Sequence, residues 1–321
     1  MYETISKEAI KAKKKYKRVG FVISAISLNP LKMSKIKVLI QRFYLYFVIG
    51  LFSKKAKESK FEKVYMNGIR SWKITTPNSD PNKILLYFHG GAYIAGSSRA
   101  YYPMISHIAD ASKFTVYMPD YRLAPEYLYP TQLEDGVNAY KSLIEEFGYS
   151  HKQIAIGGDS AGGNLAFVTI FKLREEGIEL PKAIFSFSPW ADPAATGETY
   201  TIEICEKDLL LGPVFKKTWT KYKADAYLTY YVPDEVMSEN DPYICPIKGS
   251  FKHFPPTLIH VGRDELLLSD SRSLKFGLDR DNVELEYKEW DNLWHVFQVE
   301  SLIPESQESF KLVSKFLNTN I

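Results

Sequence analysis

Cysteine is scarce: the 321 residues hold only Cys205 and Cys245, with no CxxC pair and no Cys/His spacing suited to a metal. A disulfide framework and a zinc site are thereby excluded as organising devices, and reduced thiols make a cytoplasmic setting the default expectation. Long apolar runs are missing as well. Phe43 to Phe52, bounded by Arg42 and by Lys54 and Lys55, falls well short of the ~20 residues a spanning helix needs. It reads instead as a helix lying on the body or on a membrane surface. A basic stretch from Lys7 to Arg18 followed by the mostly apolar Val19 to Leu28 has the outline of an export signal. However, Glu3 and Glu8 interrupt its charge and no clean small-residue cleavage site follows. Internal repeats, low-complexity tracts and flexible linkers are not found either.

What is present is a globular composition. With 45% hydrophobic residues, a chain of this length can bury the core of one large α/β domain or two modest ones. The net charge of +3 hides an asymmetry, because residues 1–60 hold 15 Lys/Arg against 3 Asp/Glu. A basic front on an acidic body reads first as a solvated helix face, with peripheral contact to an anionic membrane as the alternative. No nucleic-acid partner is expected. Asn29 and Pro30 break the front segment, so residues 1–60 read as two or more helices.

From Tyr65 to Ile74 the pattern turns strand-like. Apolar runs then recur at Ile84–Phe88, Phe114–Met118, Ile154–Ile156, Ala183–Phe187 and Thr257–Val261, with a last strand over Val283–Trp290, after which Asp291–Phe297 is read as opening the C-terminal helix. Between them lie helical stretches such as Thr131–Phe147, and this alternation predicts an α/β fold with a mostly parallel sheet covered on both faces. The rhythm breaks over 193–247, a segment rich in aromatics: Tyr200, Phe215, Trp219, Tyr222, Tyr227, Tyr230 and Tyr231. It reads as a lid or substrate wall, or as a helical insert with a small core of its own.

The chemistry centres on Gly158-Asp159-Ser160-Ala161-Gly162, a GxSxG string between a strand and a helix. In that pattern the serine sits on a strained turn with its hydroxyl exposed, beside a helix N-terminus. A serine hydroxyl is a poor nucleophile until a histidine takes its proton and an acid holds that histidine. In the matching chain order, serine, then acid, then histidine, His295 alone follows a strand directly and lies downstream of such an acid. His253 and His260 are read as structural. The acid should stand just past Val261, where Asp264 is preferred and Glu265 and Asp270 are held in reserve. Asp159 is read as a brace. The oxyanion needs N–H donors, which the pattern draws from Ala161 and from the loop His89-Gly90-Gly91-Ala92-Tyr93, with Gly90 and Gly91 the expected contributors. Arg122 and Glu126 are expected to pair and stiffen the string Tyr121–Glu126.

Taken in order, HGGAY, YRLAPE, GDSAGGNLA, SPWAD, DPYICPI, GRDELL and WHVF make the chain resemble the hormone-sensitive-lipase-like (bacterial family IV) carboxylesterases over about Ile84 to Phe297. The resemblance implies an α/β-hydrolase fold with Ser160, Asp264 and His295 as triad. It also implies a helical cap built from residues 1–60 and from 193–247, set on a catalytic domain over 61–321. It further implies a small ester of short or medium acyl chain as substrate and a reaction that uses no cofactor and no metal. Ala92 stands where the family often has a third glycine, so which two of Gly90, Gly91 and Ala92 donate is left open. Amide deacylation and a receptor role on the same fold are the alternatives, and the oligomeric state, a homodimer included, is not set by the sequence.

Overall fold

The computed structural model describes residues 5–26, 54–213 and 240–321 with isolated positions between them, and over 19–26 it describes the backbone alone. Its strands are β1 (Lys60–Met66), β2 (Ile69–Thr75), β3 (Asp80–Phe88), β4 (Phe114–Pro119), β5 (Ile154–Asp159), β6 (Ala183–Phe187), β7 (Thr257–Gly262) and β8 (Leu285–Trp290). Its helices are α1 (Lys7–Ile26), α2 (Ser98–Ser112), α3 (Thr131–Glu145), α4 (Ala161–Glu175), α5 (Ile202–Lys207), α6 (Leu268–Arg280) and α7 (Pro304–Asn320). The strands form one eight-stranded sheet in the order β1-β2-β4-β3-β5-β6-β7-β8. From β4 to β8 every neighbouring pair runs parallel; at one edge the pairs β1–β2 and β2–β4 are antiparallel, so β2 runs against the rest of the sheet.

Parallel strands buried on both faces explain the unbroken apolar runs. In β3, Ile84, Leu86 and Phe88 face a core shared with Leu133 and Tyr140 of α3, Leu165 of α4 and Leu274 of α6. Leu85 and Tyr87 face the opposite core, with Tyr16 of α1, Met104 of α2 and Phe310 and Phe316 of α7. Successive side chains of a strand alternate between faces, so one apolar run serves two cores.

Three details differ from the sequence reading. The Tyr65–Ile74 pattern is a hairpin, β1 and β2 turning at Asn67 and Gly68 with φ of 46° and 76°. Both central residues of such a two-residue turn need positive φ, which is why Asn-Gly is its strongest signal. The segment around His295 does not open the last helix. It is a turn and a short 3-10 stretch over Phe297–Val299, and α7 starts only where Pro304 takes its first position. Arg122 pairs with Asp135 at 2.6 Å and also donates its backbone N–H to the same carboxylate, whereas Glu126 pairs with Arg42 at 2.7 Å. Arg122 stands on the outside of its loop, within reach of the first turns of α3, and that placement decides its partner.

The sequence-predicted aromatic segment is only partly described: Trp219, Tyr222, Tyr227 and Tyr230 lie outside the described residues, as does the Phe43–Phe52 run apart from Phe43 and Tyr46. Among the described residues no helix is long and apolar enough to cross a membrane.

Candidate active site

β5 ends at Asp159 and α4 begins at Ala161, leaving Ser160 alone to make the turn at φ 53° and ψ −120°. A non-glycine residue in this region is strained, and the surroundings must hold it there. They do so with backbone bonds: Ser160 N–H donates to Phe187 O at 3.0 Å, and Ser160 O accepts from Trp190 N and Asn164 N. The turn can be this tight because Gly158 carries no side chain; a Cβ there would stand 2.2 Å from Gly162 O.

The hydroxyl so presented donates to His295 Nε2 at 3.0 Å. At the other ring nitrogen, Nδ1 donates to Glu265 Oε1 at 3.2 Å. The structure brings Ser160 and His295 together, as expected of them. It does not bring Asp264 to them: that carboxylate, the expected third member, pairs with Lys13 at 2.7 Å and the histidine meets Glu265 instead. Adjacent residues of the turn after β7 point to opposite sides, so only one can face inward. Glu265, fully buried, also accepts from Ser188 Oγ at 2.8 Å and Gly262 N at 2.9 Å. Ser188 in turn accepts from Val296 N, tying Glu265 to the loop that carries His295. The third option, Asp270, is occupied elsewhere, accepting from Ala191 N and Asp192 N.

Burial opposes a charged imidazole at His295, but the bonded Glu265 and, behind it, Asp208 and Asp159 outweigh that and raise the pKa above its ordinary value. The other histidines of this region serve structure. His260 is buried with Nδ1 on Ser309 Oγ, and desolvation pushes it down to about 3. His89 stacks on Tyr121 at 4.5 Å and keeps Nδ1 on Gly90 O.

The Gly90–Tyr93 loop closes the other side. Gly91 sits at φ 121°, and a Cβ on it would stand 2.2 Å from Ala95 O. Ala92 and Tyr93 also have positive φ, 54° and 60°, a cost of order 1 kcal/mol for each such residue, which the loop retains. Gly90 is not free to donate to a substrate: its N–H is spent on Asp159 Oδ1 at 3.1 Å, which also accepts from Tyr87 Oη at 2.9 Å. Burial pushes the Asp159 carboxyl up to about 7. Asp159 thus braces the loop. Among the described residues the N–H groups of Gly91, Ala92 and Ala161 have no protein acceptor.

A nucleophile turn between strand and helix, with acid and histidine on the loops after the last two parallel strands, is the arrangement of an α/β hydrolase. The chain belongs to that family: the model for the alpha/beta hydrolase fold matches residues 85–299. Its relatives include named esterases and a member of the hormone-sensitive lipase family, as its motifs suggest. An acetyl-hydrolase of Streptomyces hygroscopicus is 31% identical over 244 residues, covering 76% of this chain and 78% of that protein. A crystal structure of an esterase from the bacterial hormone-sensitive lipase family superposes with a TM-score of 0.84 at 29% identity, covering 99% of this chain and 100% of that one. EstE5, solved after soaking with p-nitrophenyl butyrate, superposes with a TM-score of 0.83 at 30% identity, covering 98% and 99%. The chain is an esterase/lipase-like hydrolase.

Proposed function

We propose that this hydrolase cleaves small carboxylic esters of short to medium acyl chain through an acyl-enzyme, with Ser160, His295 and Glu265 as its triad. The observation that carries the reading is the unbroken relay from Ser160 Oγ through both nitrogens of His295 to Glu265. Ser160 Oγ attacks the carbonyl carbon while His295 Nε2 takes its proton, and the same proton then goes to the leaving alcohol as the C–O bond breaks. Water, deprotonated by His295, attacks the acyl carbon, and His295 returns that proton to Ser160 Oγ as the acyl C–O bond breaks and the carboxylic acid leaves. Glu265 holds the tautomer with Nδ1–H and stabilises the imidazolium. The negative oxygen of each tetrahedral intermediate is received by the N–H groups of Ala161, Gly91 and Ala92, the last replacing Gly90 in the role the sequence gave it. Each donor of this kind is worth about 3 to 4 kcal/mol of the barrier.

The acyl preference rests on two relatives, one named an acetyl-hydrolase and one soaked with a butyrate ester. A series of p-nitrophenyl esters tests it: kcat/KM is expected to peak between acetate and hexanoate and to fall steeply by laurate. A maximum at palmitate, or faster turnover of the matching anilide than of the ester, would refute the assignment.

The histidine must be neutral to act as base, and its raised pKa moves the acidic limb of activity upward. The profile of kcat/KM against pH should therefore fall with an apparent pKa above the ~6.5 of an unperturbed imidazole. A limb below that value would mean that Glu265 does not carry charge beside His295.

A further inference from the structure

We propose that helix α1 is a clamp on the acid–base pair, and that Lys13 and Tyr16 are positioning residues for the reaction. The inference rests on Glu265 being the acid. Two loops must be held against each other for the relay to exist, the one after β7 that carries Glu265 and the one after β8 that carries His295. A single turn of α1 touches both.

Lys13 Nζ donates to Asp264 Oδ2 at 2.7 Å, and Asp264 is the neighbour of Glu265. Three residues further along, Tyr16 tilts against Trp294, the neighbour of His295, with ring centroids 5.6 Å apart. Positions three apart share a helix face, and the same face of α1 buries Ala9 and Ala12. The helix is also pinned beyond the histidine, where Lys15 Nζ bonds Glu300 at 3.0 Å and both Ser6 N and Ser6 Oγ donate to Glu305. On the far side of the acid, Asp208 accepts from Leu266 N at 3.0 Å. Glu265 is therefore flanked by two residues, Asp264 and Leu266, each gripped by an element from outside the sheet.

The grip bears on chemistry because the bond it protects has little to spare. At 3.2 Å the Glu265–His295 contact lies at the long end of hydrogen-bond distances. A misplacement of ~1 Å in such a relay can cost on the order of a hundredfold. Backbone bonds already link the loops, Asp264 N to Leu293 O and Arg263 N to Trp290 O. They fix spacing along the strands, and α1 fixes the loops from the side. Lys13 and Asp264 are each only about one-fifth exposed, at 20% and 21%, so their attraction is less screened than that of a surface pair.

The test compares Lys13→Met, Asp264→Ala, their double variant, Lys13→Arg and Tyr16→Ala, measuring kcat and KM on a short ester across pH and melting temperature for each. On the high-pH plateau each of the two clamp-breaking singles should lose about tenfold in kcat with KM within about twofold, and the double should be no slower than the slower single, because one contact is broken once. Lys13→Arg should restore kcat, and Tyr16→Ala should lower it as Lys13→Met does. If the pair acted only through its charges, plateau kcat would stay at the wild-type value. The acidic limb would then move up in Lys13→Met and down in Asp264→Ala, and that result overturns the clamp. A collapse of a thousandfold or more in Asp264→Ala alone, with Lys13→Met unaffected, would instead overturn Glu265 as the acid. Should Lys13→Met fold poorly, Lys13→Gln gives the same comparison.

Discussion

Ser160→Ala should abolish ester turnover, lowering kcat by about a millionfold, and should end covalent labelling by an organophosphate. The hydroxyl at this position is the one the fold aims at the histidine, 3.0 Å from Nε2. Nothing else about the site should change. The backbone at residue 160 is held at φ 53° by bonds from Phe187, Trp190 and Asn164 that involve only main-chain atoms of the serine, and alanine adds no atom to the turn. A residual rate of a thousandfold or more over water is still expected, since the oxyanion donors remain. The check is burst kinetics and mass spectrometry of the labelled protein. Retention of more than ~1% of kcat, or a label that persists in the variant, would place the nucleophile elsewhere.

Glu265→Gln should be the second most damaging change, costing about ten thousandfold in kcat. The amide has nearly the shape of the carboxylate, so Ser188 Oγ and Gly262 N can still donate to its oxygen. Its NH2, turned to His295, must donate to Nδ1. The ring then carries its proton on Nε2, where it can no longer accept from Ser160. The acidic limb should fall at the same time, because a neighbour that raises the histidine pKa has lost its charge. Steady-state kinetics against pH would show both effects. Equal and modest losses in Glu265→Gln and Asp264→Ala would mean that neither residue is the acid.

That the sequence named Asp264 and the fold presents Glu265 has a physical origin. Chain order and strand position locate the turn after β7, but two adjacent carboxylates there have the same spacing from the strand, and only the direction of each side chain separates them. A cue existed in composition. Asp264 follows Arg263, while Glu265 precedes three leucines, Leu266 to Leu268, that are all buried, so an acid joined to them is carried inward. The partner of Asp264 lies 251 residues away, and no local pattern foretells it. The oxyanion loop tells the same story. Asp159 was legible as a brace, yet that its bond consumes the Gly90 N–H follows only from where β3 and β5 lie side by side. The serine, the histidine and the parallel sheet were legible because each rests on a local signal: a small-residue turn, a position after a strand, and runs of apolar residues. The β1–β2 hairpin had one too, in Asn67-Gly68.

The contacts between α1 and the catalytic loops also set a timetable. During synthesis at roughly 5 to 20 residues per second, the lysine-rich helix emerges on the order of tens of seconds before the carboxylate and the tryptophan that receive it. The sheet strands from β1 to β6 can assemble in that interval, but the acid–base pair and its lateral support complete only when the last two strands and α7 arrive. A nascent chain that has already built most of its sheet thus still lacks the Glu265–His295 contact, which forms as a late event in which segments made far apart in time meet.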